Sequence, residues 1–367
     1  MFFNLGKRKS DNFPNHTRIG AWWLSHDNGW SVQPDESAYK GYRFDDINHG
    51  NFIKIYFENN QIKILHDLER SFPLWWDPIS ANLNNISGPG QQIWADETIY
   101  IEGLTCTVTK IPVQYNVVED TLTLDQVSNS IADLTAQKFA KLNTLPGNRK
   151  LFLTGGIDTA TLYAVMNDDP SVELIDYEYF AYDNFTNKNI SNIRTAANHW
   201  GYLQIHHWID PTVLITGGCG DEYFMRGPDA VAKYMAWHDF DLVALLESVA
   251  GYHVGYYLLD KNRRIFDNYY KNRAALKAQF PTYNDLATEI INNNLNDHQH
   301  WHLGNTLTFT PFKDINITLL MLQLSFDDML AHVIDATVNK NIISKFNKSI
   351  LQNVSLTKNI DTRYKLM

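Results

Sequence analysis

The chain is short of the features that mark secreted, membrane-bound or nucleic-acid-coating proteins. Its 367 residues hold only two cysteines, Cys106 and Cys219. That is too few for a disulfide framework, so a reducing compartment is expected. Positive charge is scarce: 31 Lys and Arg face 41 Asp and Glu, a formal net charge of -10. A field of that sign disfavours a nucleic-acid partner, whose binding rests on neutralised phosphates. No apolar run approaches the roughly 20 residues that a membrane helix needs. The stretch Met1-Phe2-Phe3-Asn4-Leu5-Gly6-Lys7-Arg8-Lys9 carries its charge after a very short apolar patch, unlike a secretory signal. A soluble, cytoplasmic protein with no membrane partner is the expectation. Prolines number only 12 and 44% of the chain is hydrophobic, enough for sizeable cores and incompatible with disorder.

The first third is β-rich. Phe52 to Phe57 and Ile62 to Leu65 are β-prone runs flanking Glu58-Asn59-Asn60-Gln61, which predicts a hairpin. Further strands are expected at Ile99 to Ile101 and within Leu104 to Val108. Pro73, Pro78 and Ser87-Gly88-Pro89-Gly90 mark loops. The period then changes. Leu124, Val127, Ile131, Leu134, Phe139 and Leu142 recur at helical spacing, with Thr123 or Asp125 as a cap and Pro146-Gly147 as a stop. Two domains are expected, 1–120 and 121–367. From Lys150 strands alternate with helices: strands at Leu151 to Leu153, Leu174 to Phe180 and Val213 to Ile215, helices after Asp158 and over Ile190 to Trp200. Such alternation argues for a parallel sheet with crossover helices. Beyond about Asp229 the chain is mostly helical by periodicity.

Two glycine loops follow strands in this second part: Thr154-Gly155-Gly156-Ile157-Asp158-Thr159, and Thr216-Gly217-Gly218-Cys219-Gly220-Asp221-Glu222. Parallel sheets place ligand sites at such strand ends. Gly155 and Gly156 let backbone N–H groups approach a phosphate at a helix N-terminus, and the hydroxyls of Thr154 and Thr159 can donate to the same oxygens. Asp158 would repel a phosphate directly. It makes sense as a magnesium ligand, with Asp221 as the second carboxylate. One such loop alone serves as a plain connector as readily as a site; two of the form strand, Gly-Gly, acid, helix are far more specific. Neither Gly-x-Gly-x-x-Gly nor a Gly-Lys-Ser/Thr loop is present, which excludes the dinucleotide and Walker patterns.

The first loop resembles the Ser-Gly-Gly-x-Asp-Ser pyrophosphate loop of the ATP pyrophosphatases, the PP-loop superfamily. The second is similar to the second ATP loop of the asparagine synthetase family. Between them, Phe180-Ala181-Tyr182 and Ala197-Asn198-His199-Trp200-Gly201 resemble that family's adenine-side strand and following helix. Gly50-Asn51-Phe52, Asp67 and Pro73-Leu74-Trp75-Trp76 are similar to its glutaminase-type sandwich. Thr310-Pro311-Phe312-Lys313-Asp314 resembles its Arg-x-Pro-Phe-Leu-Asp. The resemblance covers nearly the whole chain, the two ATP loops being its most specific part. It implies an N-terminal glutaminase-like (Ntn-type) β-sandwich and a C-terminal PP-loop α/β domain with a parallel sheet and a helical end. It also implies ATP and Mg²⁺. Leu153, Thr154, Gly155, Gly156, Asp158, Thr159, Phe180, Gly217 and Gly218 would meet the nucleotide, and Asp158 and Asp221 the metal. Thr154, Thr159 and Lys358 would be catalytic. Lys358 is the positional match for the family's late lysine, and Lys313 is the other candidate.

Three departures refine that expectation. Position 2 is Phe2, where glutamine-dependent members carry the nucleophilic cysteine, so glutaminase chemistry is not expected. The chain is nearest in kind to members without that activity, such as lasso-peptide cyclases and β-lactam synthetases. Gly218 stands where asparagine synthetases have Glu and β-lactam synthetases Tyr, which argues against both reactions and leaves other amines open. Phe309 and Thr310 replace the Arg before Pro-Phe. The implied reaction activates a small-molecule or peptide carboxylate as its adenylate, releasing pyrophosphate; an amine then forms an amide or lactam and releases AMP. Two alternatives are a PP-loop enzyme modifying a nucleotide or tRNA base, and an inactive interaction protein on the same fold.

Remaining clusters read as structural. Asp297-His298-Gln299-His300-Trp301-His302 would put its histidines on one side only in a strand, and its polar context suits a solvated or substrate-facing turn rather than a zinc site. His206-His207 is read as structural and Asp327-Asp328 as an exposed helical face. Tyr256, Tyr257, Phe266, Tyr269 and Tyr270 are read as helical core, with the lining of a substrate pocket as the alternative, and Cys106 as a small core residue.

Overall fold

Alternating apolar residues build the first part of the chain into strands. In Gln61–His66, for example, Ile62 and Ile64 are buried while their neighbours are not, the period of two that puts successive side chains on opposite faces. A computed structural model describes residues 3–33, 37–43, 50–67, 74–84, 91–93, 97–102, 105–110, 115–152, 156–167, 169–175, 210–248, 256–295, 306–346 and 350–351. Its first twelve strands are β1 Phe3–Gly6, β2 Asn15–Ile19, β3 Trp22–His26, β4 Ser31–Gln33, β5 Ser37–Arg43, β6 Gly50–Glu58, β7 Gln61–His66, β8 Leu74–Asp77, β9 Asn82–Asn84, β10 Gln91–Ile93, β11 Glu97–Glu102 and β12 Thr105–Lys110. They form two six-stranded sheets, ordered β10-β8-β9-β1-β3-β2 and β12-β11-β7-β6-β5-β4, antiparallel throughout. The expected hairpin is β6–β7. Asn59 and Asn60 turn it with φ of 52° and 66°, the left-handed pair that a two-residue hairpin loop needs and Asn tolerates. Both sheets contribute to one core, with Leu5, Trp22 and Leu24 from one and Ile53, Ile55 and Ile99 from the other. Cys106 is half-buried against it, and burial pushes its thiol up to about 12.

Lys40 is one of the charged groups buried in this layer. The Lys40 side chain is 0% exposed and donates to Asp27 Oδ1 at 2.6 Å and to the Asn28 carbonyl at 2.8 Å. Burial holds the Lys40 ammonium below its ordinary range against the pull of Asp27. Removing Asp27 takes the carboxylate from a fully buried ammonium, whereas removing Lys40 leaves a carboxylate that still reaches solvent and accepts from Trp30 Nε1. Asp27→Ala is therefore expected to destabilise the protein by about 3 kcal/mol, whereas Lys40→Met should stay within about 1 kcal/mol of wild type. Urea unfolding of the two variants checks this; equal losses would sink it.

The second part begins with α1, Leu124–Leu142, capped by Thr123: its hydroxyl accepts from the Gln126 N–H while the Gln126 side chain accepts from the Thr123 N–H. Then come β13 Asn148–Phe152, α2 Ile157–Met166, β14 Val172–Ile175 and β15 Thr212–Ile215. Three short elements follow, α3 Gly220–Tyr223, α4 Pro228–Trp237 and α5 Leu242–Leu246, then α6 Asp260–Lys271, α7 Arg273–Gln279 and α8 Tyr283–Leu295. Strand β16, Thr306–Phe309, precedes α9 Ile315–Met321, α10 Phe326–Asp335 and α11 Thr337–Phe346. The four strands form a parallel sheet ordered β14-β13-β15-β16.

Two expectations need correcting here. Thr306–Phe309 falls in the stretch read as helical, yet it is a strand paired with β15; four residues are too few for periodicity to register. The strand expected from Leu174 starts earlier, at Val172. Its expected continuation to Phe180 and the helix at Ile190 to Trp200 lie outside the described residues, as do His206-His207 and the Asp297–His302 segment. Tyr257 and Phe266 are buried as expected, with Tyr256 and Tyr269 packed against the same core. Asp327 and Asp328 open α10, where the Ser325 hydroxyl accepts from the Asp328 N–H.

A second core fills the parallel-sheet part, and one residue of β5 belongs to it. Tyr42 donates to the Thr308 carbonyl at 3.4 Å and its ring lies 5.9 Å from Phe309. Among the described residues, no single helix is long and apolar enough to cross a membrane.

Candidate functional site

Strand order picks out the site. From β13 the chain moves to β14 on one side, then returns to place β15 on the other. The crevice at the carboxyl ends of β13 and β15 is therefore a topological switch point, where open parallel sheets bind ligands. The second glycine loop, residues 216–219, leaves the sheet there after β15, and α2 starts there at Ile157 after β13.

The loops touch. A Cβ on Gly217 would lie 3.0 Å from Thr159 N and 3.1 Å from Asp158 Cβ, and one on Gly220 would lie 2.5 Å from Asp158 Cγ. Glycine is thus required at 220 by the approach of Asp158, not by backbone conformation. Cys219 between them takes φ 58°, and the Gly218 N–H donates to Thr216 Oγ1 at 3.1 Å. These bonds tighten the second loop and bring Asp221 round to face Asp158.

What lies between the two aspartates was not foreseen from sequence. Arg226, 1% exposed, pairs through Nη2 with Oδ1 of Asp158 and, at 2.8 Å, with Oδ1 of Asp221. Asp158 keeps 19% of its side-chain surface and Asp221 keeps 45%, so the cluster reaches solvent from the Asp221 side. Burial pushes the Asp158 carboxyl above its ordinary range; Arg226 pulls it back and Asp221 adds to the rise. Two carboxyl oxygens aimed at one cationic nitrogen form an all-oxygen pair. This is the donor set by which Mg²⁺ is usually held, through one or two carboxylates with water and phosphate completing its shell. Among the described residues, no group of three or more His, Cys, Asp or Glu converges on a metal position.

Gly156 caps α2 without a side-chain bond, and the N-terminus of this ten-residue helix lies at the crevice end. Thr159 is buried and its hydroxyl donates to the Gly156 carbonyl at 3.1 Å; reaching a phosphate as donor would require that hydroxyl to rotate. Gly218 is half-exposed beside them. Leu153, Thr154, Gly155, Phe180 and Lys358 lie outside the described residues.

The segment after β16 closes the same edge. Thr216 N donates to the Phe309 carbonyl at 3.0 Å, tying the second loop to β16. Phe309 packs its ring 5.9 Å from Phe139 as well as from Tyr42, so the position where the resemblance expects Arg is core. Lys138 of α1 pairs with Asp314 at 2.8 Å and donates to the Pro311 carbonyl at 3.0 Å, anchoring the turn. Within it Lys313 is buried, and its ammonium has no hydrogen-bond partner among the described residues. A search of protein-family models and of curated proteins finds no match to this sequence.

Proposed function

We propose that this chain is an ATP-dependent, amide-forming ligase of the asparagine-synthetase kind, working without glutaminase chemistry on the glutaminase-like and PP-loop folds its motifs resemble. The observation that carries the reading is the convergence of Asp158 and Asp221, one from each glycine loop, on a single cation at the switch point of the sheet. Those two carboxylates would hold Mg²⁺, which would offset the charge of the triphosphate. Gly156 and the start of α2 would cradle the pyrophosphate. A substrate carboxylate attacks the α-phosphorus and the bond to pyrophosphate breaks. An amine then attacks the acyl carbon, loses a proton and expels AMP. The chain's own contribution is positioning and charge neutralisation.

Lys313 adds support. A buried ammonium without a partner is costly, and an anion at this edge of the sheet would supply one. Lys313→Met is expected to melt at or above the wild-type temperature while losing about tenfold or more in pyrophosphate release. Unchanged release would remove Lys313 from the site.

The direct test measures AMP and pyrophosphate formed from ATP and Mg²⁺ over a pool of carboxylates and amines. Release that depends on one carboxylate establishes adenylation and names the acyl class. No release together with no ATP binding by calorimetry would leave the inactive interaction protein as the better account.

A further inference from the structure

Arg226 heads the fully buried side chains by volume, and its place is over-determined. Met225 before it adopts φ 56°, a left-handed conformation that costs a residue with a long side chain about 1 kcal/mol or more. The N–H groups of Arg226 and Gly227 both donate to the Asp221 carbonyl, at 2.6 and 2.8 Å. The buried hydroxyl of Tyr257 donates to the Arg226 carbonyl at 2.8 Å. The turn from 221 to 227 is thus built around delivering a cation to two carboxylates, one of them its own Asp221.

A guanidinium and a divalent cation compete for the same oxygens. A free metal ion entering here must shed water and also evict a positive charge already paired at hydrogen-bond distance. A nucleotide changes that balance, because phosphate oxygens offer the planar guanidinium a bidentate partner in exchange. We propose that Arg226 is a resident counter-ion that keeps Asp158 and Asp221 closed to free divalent cations and yields them when phosphate takes over its guanidinium. Metal then enters with the triphosphate rather than ahead of it. The exchange half of this inference rests on the nucleotide reading above; the exclusion half does not.

Mn²⁺, followed by the electron paramagnetic resonance of the unbound ion, tests both halves on the full-length chain. Without nucleotide, wild type is expected to bind Mn²⁺ at least about tenfold more weakly than Arg226→Met. Arg226→Lys, which keeps one charge but not the fork, should fall between and guards against misfolding of the first variant. Adding ATP should raise wild-type Mn²⁺ uptake to the level of the variants. Wild type binding free Mn²⁺ as tightly as both folded variants would overturn the proposal. If the variants gain and ATP does nothing to wild type, the counter-ion stands and the nucleotide reading falls.

Discussion

Asp158→Asn is expected to cut ATP-dependent pyrophosphate release by about two to three orders of magnitude, the size seen when one electrostatic stabiliser of a transition state is removed. The substitution is nearly isosteric and leaves Arg226 its 2.8 Å pair with Asp221, so the fold should survive. Two effects on stability oppose each other: half of the guanidinium's pairing is lost, but a carboxylate that burial disfavours is also removed. Single-turnover pyrophosphate release beside a thermal melt separates chemistry from folding. A folded Asp158→Asn protein with wild-type release would refute the assignment of the metal carboxylates. Asp221→Asn, at the more exposed end of the cluster, should cost a similar factor in release with less change in melting.

Gly220→Ala is the second large effect. The added methyl would sit 2.5 Å from Asp158 Cγ and 2.7 Å from its Oδ1. Those atoms are not the loose end of a flexible chain, because Arg226 holds them. Overpacking of this kind costs about 1–3 kcal/mol, and relief requires Asp158 to leave its pair. The variant is therefore expected to lose stability and pyrophosphate release together. Gly217→Ala, whose nearest contacts are 3.0 Å, should be milder on both counts. Chemical denaturation and the release assay run on the same preparations decide it; a Gly220→Ala protein of wild-type stability would mean that the two loops are not packed as described.

The features legible in advance are those written in a few consecutive residues. Asn59-Asn60 between two β-prone runs specified the β6–β7 hairpin, since left-handed turn residues and period-two burial are both local signals. The helical spacing from Leu124 placed the start of α1 in the same way, with Thr123 or Asp125 as the cap; the structure chooses Thr123. Repetition of strand, Gly-Gly, acid and helix was enough to single out Asp158 and Asp221 as partners in one site. It did so without saying what would stand between them.

Arg226 illustrates the limit. Nothing in its neighbourhood marks it, because its role comes from a turn through Met225 in a left-handed conformation and from Asp158, 68 positions away in the chain. Lys313 stands out only through its place in the motif resemblance, and nothing near Lys40 in the chain marks it; long-range packing buries both. The four residues of β16 carry no period of their own and become a strand by pairing with β15. Tyr42 leaves its own sheet's core for that of the other, where Phe309 receives it. Local backbone preference and burial period can be read along the chain, since each depends on neighbours a few residues apart. Charge pairing, desolvation and strand order depend on groups that only the folded chain brings within a few ångströms. So the sequence by itself pointed to the two loops, and the tertiary structure alone decided which cation their carboxylates pair with.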